Sequence, residues 1–168
     1  LPWYAWLLVR GYQNTHNLNL YTLRLLVLAL ICEVPYDFTT FGCAFDMRSQ
    51  NPVFGLVIAL FVLSGIDMVR ARFKGAQKVA SIAVILVAGI LWNLFGKVGF
   101  RQNIFWGGAL LLGFVLIFIF LENHEIRMEL IAGAFGAMSL LAPGVGVAVL
   151  HYRSPYGDGP KQTKQFRW

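Results

Sequence analysis

Charge is scarce in this sequence. Only 13% of its 168 residues are Asp, Glu, Lys or Arg, which is about half the share found in an ordinary soluble domain. Hydrophobic residues make up 58% of the chain, and its mean hydropathy is +0.64. These values exclude a soluble globular domain and indicate an integral membrane protein.

The excess of positive charge does not indicate a nucleic-acid-binding protein. The formal net charge is +6 and the pI is near 9.6, but the basic residues lie in short segments between apolar runs. Basic loops beside a membrane contact anionic lipid and follow the inside-positive rule. We therefore expect membrane lipid as a partner and no nucleic acid.

The sequence also lacks the motifs of many soluble enzymes. It has no P-loop, no dinucleotide glycine fingerprint, no HExxH zinc motif and no GxSxG nucleophile elbow. Its two cysteines, Cys32 and Cys43, show neither metal-ligand spacing nor a disulfide framework. We therefore predict no metal site.

Apolar runs of membrane-spanning length dominate the chain. Because a span needs about 20 residues, complete spans are predicted at residues 20–34, 52–68, 79–95, 104–121 and 129–150. Residues 1–9 resemble the end of a further span, and we expect a fragment that lacks both ends. Polar residues 10–19 predict a turn, residues 35–51 a re-entrant or interfacial loop, and residues 69–78 a basic loop. The predicted fold class is an all-α polytopic transmembrane helix bundle, one domain over residues 1–168, with about five complete spans plus a partial N-terminal one.

Charged side chains lie inside the first complete span and at its end. If one helix covers residues 17–34, Asn17, Tyr21 and Arg24 share a face, whereas Glu33 points to the opposite side from Arg24. The two charges therefore cannot pair within the helix, and each needs a partner elsewhere. A charge deep in hydrocarbon costs about 2.5 to 3.5 kcal/mol, so such residues face a bundle interior or snorkel to the interface. The pattern leaves both interpretations open.

Further polar side chains lie near the predicted membrane boundaries. They are Tyr12, Asn14, His16, Asp37, Gln50, Asn51, Asn93 and residues 151–153. They could ring an aqueous pocket whose cations bind an anionic donor while a carboxylate or imidazole moves a proton. Equally, they could be helix caps and interfacial anchors.

The segment VRGYQNTHNLNLYTLRLLVLALICEVPYDF resembles the signature of the TraX family. In that family an apolar run is followed by V E G Y x H T R N, then Y x x R L L, then S E x P F D. QNPVFGLVIALFVL is similar to the family's Q N V F F T L segment. The resemblance is strong over residues 1–63. Beyond them, LFGKVGF and HYRSPYGDGPK stand where the family has D Y G x x G V and Y N G x x G P K.

The resemblance implies a function and a location. TraX proteins are polytopic inner-membrane proteins, the founding member is implicated in N-terminal acetylation of conjugative pilin, and the family resembles the larger group of membrane acyltransferases. We therefore expect a multi-pass protein of the bacterial cytoplasmic membrane. It would transfer an acyl group, with acetyl as the expected group, from acetyl-CoA to an amine or hydroxyl acceptor such as pilin.

The matching positions also imply a set of site residues. Glu33 and Asp37 are the catalytic candidates, one of which orients or deprotonates the acceptor. Arg24 holds an anionic group, either donor phosphate or a partner carboxylate. The donor-binding or substrate-binding positions are Tyr12, Asn17, Tyr21, Arg24, Gln50 and Asn51.

This sequence departs from the family at several ionisable positions. The replaced positions are Arg10, Asn14, His16, Cys32 and Leu94, where the family has Glu, His, Arg, Ser and Asp. Three alternatives therefore stay open: a non-catalytic membrane component, a small-solute permease and an inactive paralogue. Thioester consumption without net solute uptake would distinguish a transferase from a permease.

Overall fold

Six α-helices account for most of the residues that the computed structural model describes, which are residues 1–98, 107–121, 124–139 and Val147. In chain order the helices are α1 (Pro2–Asn14), α2 (Leu18–Phe41), α3 (Pro52–Arg72), α4 (Gly75–Phe95), α5 (Gly107–Phe120) and α6 (Glu125–Ser139). These residues contain no β-strand, and their one strand-like contact is an isolated bridge between Gln50 and Val98. The predicted all-α fold is confirmed.

Three of the described helices, α2, α3 and α4, are long and apolar enough to cross a membrane. They confirm the membrane fold and three of the predicted spans. α5 is also apolar, but its 14 residues are shorter than a span. Ten of the 22 residues of the predicted last span, 129–150, lie outside the described part of the chain, as do residues 104–106 at the start of the span predicted before it. The count of about five spans therefore stays a prediction.

α3 lies at the centre of the bundle. Of its most apolar 18-residue window 50% is buried, against 6% for α2 and 11% for α4. α3 packs against α1, α2, α4 and α5, and α1 packs along α5. The largest buried apolar side chains lie at these contacts: Leu60, Leu111, Phe114 and Phe118. Because the outer faces of α2 and α4 are apolar and exposed, we infer that they contact lipid.

Two helix starts follow from the sequence. The Asn17 side chain caps α2 by accepting the Leu20 N–H at 3.1 Å, as an asparagine in this position commonly does. Asn51 caps α3 by accepting the Val53 N–H at 2.8 Å. Pro52 then occupies the first helical turn, where its missing N–H leaves no bond unmade.

The three predicted connections are shorter than expected. α2 continues through Pro35, so the loop predicted at residues 35–51 is confined to residues 42–51. Gly42 is the C-cap of α2, and its φ of 73° suits that position. The basic loop predicted at residues 69–78 shrinks to residues 73–74, because arginines complete the last turn of α3, where cations face the negative end of the helix. The polar turn at residues 10–19 shrinks to residues 15–17, since α1 runs to Asn14.

The antiparallel helices give the bundle two ends. At the Tyr12 end, the last turn of α1 meets the last turns of α3, and Arg70 lies over the Phe120 ring of α5. At the Glu33 end, the second half of α2 meets the start of α3 and the end of α4. Six of the described basic residues lie at the Tyr12 end and two at the Glu33 end: Arg10, Arg70, Arg72, Lys74, Lys78 and Arg127 against Arg48 and Lys97.

Glycines bring α3, α4 and α5 close together near the Glu33 end. A Cβ on Gly55 would lie 3.1 Å from the Cα of Gly108, and a Cβ on Gly108 would overlap the side-chain amide oxygen of Asn93. Asn93 is buried, and its Nδ2 donates to the Gly89 carbonyl at 2.9 Å. Small residues at such contacts let helix backbones approach closely in a membrane.

Candidate functional site

Glu33 and Asn51 join α2 to the start of α3. Oε2 of Glu33 accepts the Asn51 backbone N–H at 3.1 Å and the Asn51 Nδ2 at 2.5 Å. The same Nδ2 also donates to the Ala29 carbonyl at 2.8 Å. Asn51 is 2% exposed, whereas Glu33 is half-buried and its Oε1 makes no hydrogen bond with the described residues. The carboxylate is therefore fixed through one oxygen and open at the other.

Asp37 lies one turn after Glu33 on the same face of α2 and is fully buried. Its Oδ2 accepts the Asp46 backbone N–H at 2.8 Å, while its Oδ1 has no hydrogen-bond partner among the described protein atoms. The Asp46 side chain pairs with Arg48, and hydrogen bonds from this guanidinium hold the pKa of Asp46 below its usual value. Asp37 thus anchors the 42–51 loop with one oxygen and leaves the other unsatisfied, which is costly for a buried polar atom.

The 42–51 loop is tied to α4 as well as to α2. The Tyr36 hydroxyl lies 3.1 Å from Ser49 Oγ, which in turn donates to the Lys97 carbonyl at 3.2 Å. The Gln50 backbone N–H donates to the same carbonyl at 3.3 Å. Lys97 has a φ of 48°, a left-handed conformation that turns the chain after α4. These bonds hold Gln50 and Asn51 beside Glu33.

An open apolar crevice of about 440 Å³ runs along α3 between α2 and α4. α2 and α4 each pack on α3, but among the described helices they make no extensive contact with each other. Leu26 of α2 and Trp92 of α4 form its exposed rims, and Gln50 lies at its Glu33 end. The floor consists of buried α3 side chains, among them Val57, Ile58 and Val62.

A second group of polar side chains lies at the Tyr12 end. The Tyr12 hydroxyl donates to Asp67 Oδ2 at 2.5 Å, and Arg70 lies 3.5 Å from the other oxygen. Partial burial, with the bond to Asp67, raises the pKa of Tyr12 above its usual value. These three side chains and His16 line a polar hollow of about 580 Å³.

Sequence analysis missed Asp67. The signal that drew attention to Glu33, a carboxylate within or at the end of an apolar run, is also present at Asp67, near the end of α3. The residues Gly65, Ile66 and Met68 around it are small or apolar. Asp67 was overlooked because the predicted span ended one residue later, which placed it at the membrane boundary.

The remaining predicted site residues lie toward the Tyr12 end of α2. Tyr21 packs over Gly11 of α1, where a Cβ would come within 2.5 Å of the Tyr21 hydroxyl oxygen. Asn17 caps α2. Arg24 is exposed and makes no hydrogen bond or ion pair with any residue in the described ranges.

The structure therefore separates the predicted site into two groups. Glu33, Asp37, Gln50 and Asn51 come together at the Glu33 end, whereas Tyr12, Asn17, Tyr21 and Arg24 lie toward the other. Along α2, Arg24 and Glu33 are about 13.5 Å apart and on opposite sides. The structure therefore does not bring these residues into one pocket, because the two groups lie toward different ends of the bundle. Residues 151–153, which the sequence also suggested for the pocket, lie outside the described part of the chain. Within the described ranges, no group of three or more His, Cys, Asp or Glu side chains is placed to hold a metal.

Comparison with known proteins adds a family. Residues 1–93, more than half of the chain, match the family model described as TraX protein. The match covers α1, α2 and α3, nearly all of α4, and every residue of both groups. No curated protein and no solved structure matches the chain.

Proposed function

The chain belongs to the TraX family, and on that premise we propose that it transfers an acyl group, acetyl first of all, from a coenzyme A thioester to an amine or hydroxyl acceptor. The observation that carries the proposal is the Glu33 carboxylate. Asn51 holds its Oε2, while Oε1 is open to a proton. A held carboxylate with one open oxygen has the geometry that general base catalysis requires.

In this proposal the acceptor nitrogen or oxygen forms a bond to the acyl carbon and gives its proton to Glu33 Oε1. The C–S bond of the thioester breaks, and the sulfur leaves with the bonding electrons. Asn51 orients the carboxylate throughout. Asp37 is a positioning residue in this scheme, because it is fully buried and its bond to the Asp46 N–H holds the loop in place.

Arg24 is our candidate for the anionic part of the donor. Its guanidinium has five N–H donors, none of which is used by the described residues. A coenzyme A thioester carries its phosphates at the opposite end of a long arm from its reactive carbonyl. Glu33 lies about 13.5 Å farther along α2 and on the opposite side of the helix, so one donor reaches both side chains only if its arm passes around α2. Otherwise the anionic partner of Arg24 is a carboxylate of another protein.

The location and the acceptor rest on the family alone. We place the protein in the bacterial inner membrane, and its three membrane-spanning helices support a membrane location. Pilin is the acceptor that the family resemblance suggests.

A non-catalytic membrane component is the second candidate. Glu33 and Asp37 both accept backbone N–H groups, from Asn51 and from Asp46 in the 42–51 loop. Residues with a purely structural role make the same bonds. If bracing is their whole role, removing either carboxylate lowers stability and changes no reaction.

The substitution Glu33→Gln separates the two candidates. Glutamine keeps a side-chain oxygen for the two Asn51 donors but cannot accept a proton at neutral pH. Asp46→Asn is the matched control, since it removes a carboxylate that pairs with Arg48 at the same end of the bundle. The assay incubates membranes that contain the full chain with acetyl-CoA carrying a radioactive acetyl group. It measures release of the coenzyme A thiol and transfer of label.

We expect thiol release above that of membranes without the protein. Glu33→Gln should lower it by about 10²- to 10⁴-fold. Asp46→Asn should change it by less than about twofold, because asparagine keeps an oxygen for the Arg48 backbone N–H and the lost partner, Arg48, is exposed. Protection of the half-buried Cys32 from a maleimide until the sample is heated shows that each variant is folded. Wild-type release in Glu33→Gln would remove Glu33 from the reaction, and no release by the wild type would favour the non-catalytic candidate.

A further inference from the structure

The apolar crevice occupies one half of the bilayer. Its lining on α3 runs over residues 54–62, the first part of the 21-residue span Pro52–Arg72. These residues cover about 12 Å of helix axis, which is nearly half of the roughly 30 Å hydrocarbon core. The crevice therefore extends from the Glu33 end toward the bilayer midplane. This is the depth range of a lipid chain in one leaflet.

The crevice opens sideways into the lipid. Phe61 and Trp92 on its edges are 59% and 68% exposed, while the floor is buried. The helices on either side, α2 and α4, are the ones whose apolar outer surfaces are least covered by the rest of the bundle. A lipid chain can enter the crevice from the membrane without contact with water.

The lining of the crevice suits a hydrocarbon chain. Apart from Gln50 at one end, the side chains that line it are apolar or aromatic. The hydrocarbon core that surrounds the helices supplies chains of this kind.

The polar end of the crevice lies beside Glu33. Gln50 lines this end, and its side-chain amide makes no hydrogen bond with the described residues. Leu26, Ala29 and Glu33 share one face of α2, because they are three and four residues apart. A chain that lies along Leu26 therefore has its polar head near Glu33.

We propose that the crevice holds the hydrocarbon chain of a lipid-borne acceptor and places the hydroxyl or amine of its head at Glu33 Oε1, with Gln50 as a hydrogen-bonding partner of the head. This inference rests on the proposed acyl transfer. The head group oxygen or nitrogen forms the new bond to the acyl carbon, its proton passes to Glu33, and the C–S bond of the thioester breaks with release of the thiolate. The product is an acylated lipid that remains in the leaflet.

Filling the crevice tests the proposal. Ala88 of α4 lines it and is exposed, so Ala88→Trp should occupy the space of the chain without disturbing the core. Ala83→Trp is the matched control, because Ala83 is exposed on the same helix and does not line the crevice. The full chain is reconstituted in vesicles of bacterial lipid extract with acetyl-CoA carrying a radioactive acetyl group. Label is then counted in the solvent-extracted lipid and in the protein.

We expect label in the lipid fraction, a loss of at least tenfold in Ala88→Trp and less than twofold change in Ala83→Trp, in accord with loss of the acceptor site alone. If Ala88→Trp does not fold, Ala88→Leu narrows the same space. A phospholipid with a photoreactive chain gives a second readout that needs no reaction: it should crosslink to α4 in the wild type and in Ala83→Trp, and less in Ala88→Trp.

The outcomes separate this inference from the proposed function. Thiol release with label in protein alone would overturn the lipid acceptor and leave the acyl transfer standing. Equal lipid labelling by Ala88→Trp and Ala83→Trp would overturn the crevice as its site. No thiol release at all would overturn the acyl transfer itself, and the inference with it.

Discussion

Replacing Asn51 with alanine should weaken the whole bundle, because one buried side chain makes three kinds of bond. It caps α3 at Val53, donates to Glu33 and donates to the Ala29 carbonyl. A cap contributes about 1 kcal/mol, a bond to a charged group about 1.5 to 3 kcal/mol and a neutral bond about 1 kcal/mol. Side-chain bonds between membrane helices average about 0.6 kcal/mol. We therefore expect a loss of about 3 kcal/mol, near the middle of these limits.

Thermal unfolding in detergent measures this loss. The reporter is reaction of the half-buried Cys32 with a fluorogenic maleimide, in a Cys43→Ser background that removes the exposed thiol. For a chain of this size the loss corresponds to a fall in Tm of about 6 to 12 °C. Asn51→Ser keeps an oxygen for the cap, so it should recover about 1 kcal/mol of the loss. The reasoning would be refuted if Asn51→Ala melted within about 2 °C of the wild type, or if serine were no better than alanine.

Two further predictions concern packing and membrane topology. Gly108→Ala should destabilise the bundle by about 1 to 3 kcal/mol, because a Cβ there overlaps a buried amide. Gly133→Ala, the control, has no atom within 4 Å of its Cβ and should be neutral or stabilising by up to about 1 kcal/mol. Equal effects of the two substitutions on thermal unfolding would contradict the close packing around Gly108. A membrane-impermeant maleimide should reach the exposed Cys43 and a cysteine introduced by Lys74→Cys from opposite sides of the membrane, because α3 lies between them and is long enough to cross it; labelling of both in intact spheroplasts would contradict a membrane-spanning α3.

The spans were predictable where apolar runs alone decide the structure. α3 and α4 lie within four residues of the expected bounds at every end. The errors concern where helices end, because a proline or a cationic side chain near the end of an apolar run does not always end the helix. Pro35 predicted a helix end, yet α2 continues because Asp37 is held to the 42–51 loop and Gly42 supplies the cap. Arg70 belongs to α3 because a cation is stable in the last turn of a helix.

The site was predictable in its residues and not in its arrangement. Helical periodicity showed that Arg24 and Glu33 cannot pair, and the structure gives Glu33 its partner in Asn51. The link between Tyr12 and Asp67 joins residues that are 55 positions apart in sequence. No local pattern carries such a contact. It depends on how α1 packs against α3, and only the assembled bundle fixes that.

The length of α2 has a consequence for the surrounding bilayer. Its 24 residues give an axis of about 36 Å, about 4 to 5 Å longer than α3 or α4 and longer than a typical hydrocarbon core. Since the excess lies beyond Pro35, the turns of α2 that carry Asp37 lie at headgroup level. Glu33 lies about two turns deeper, counted from the end of α2. Hydrophobic mismatch of this kind is relieved by tilting the helix or by thickening the local leaflet. Membrane thickness thus sets how deep the Glu33 carboxylate lies in the bilayer. That depth in turn sets how closely a lipid head group can approach Glu33 Oε1.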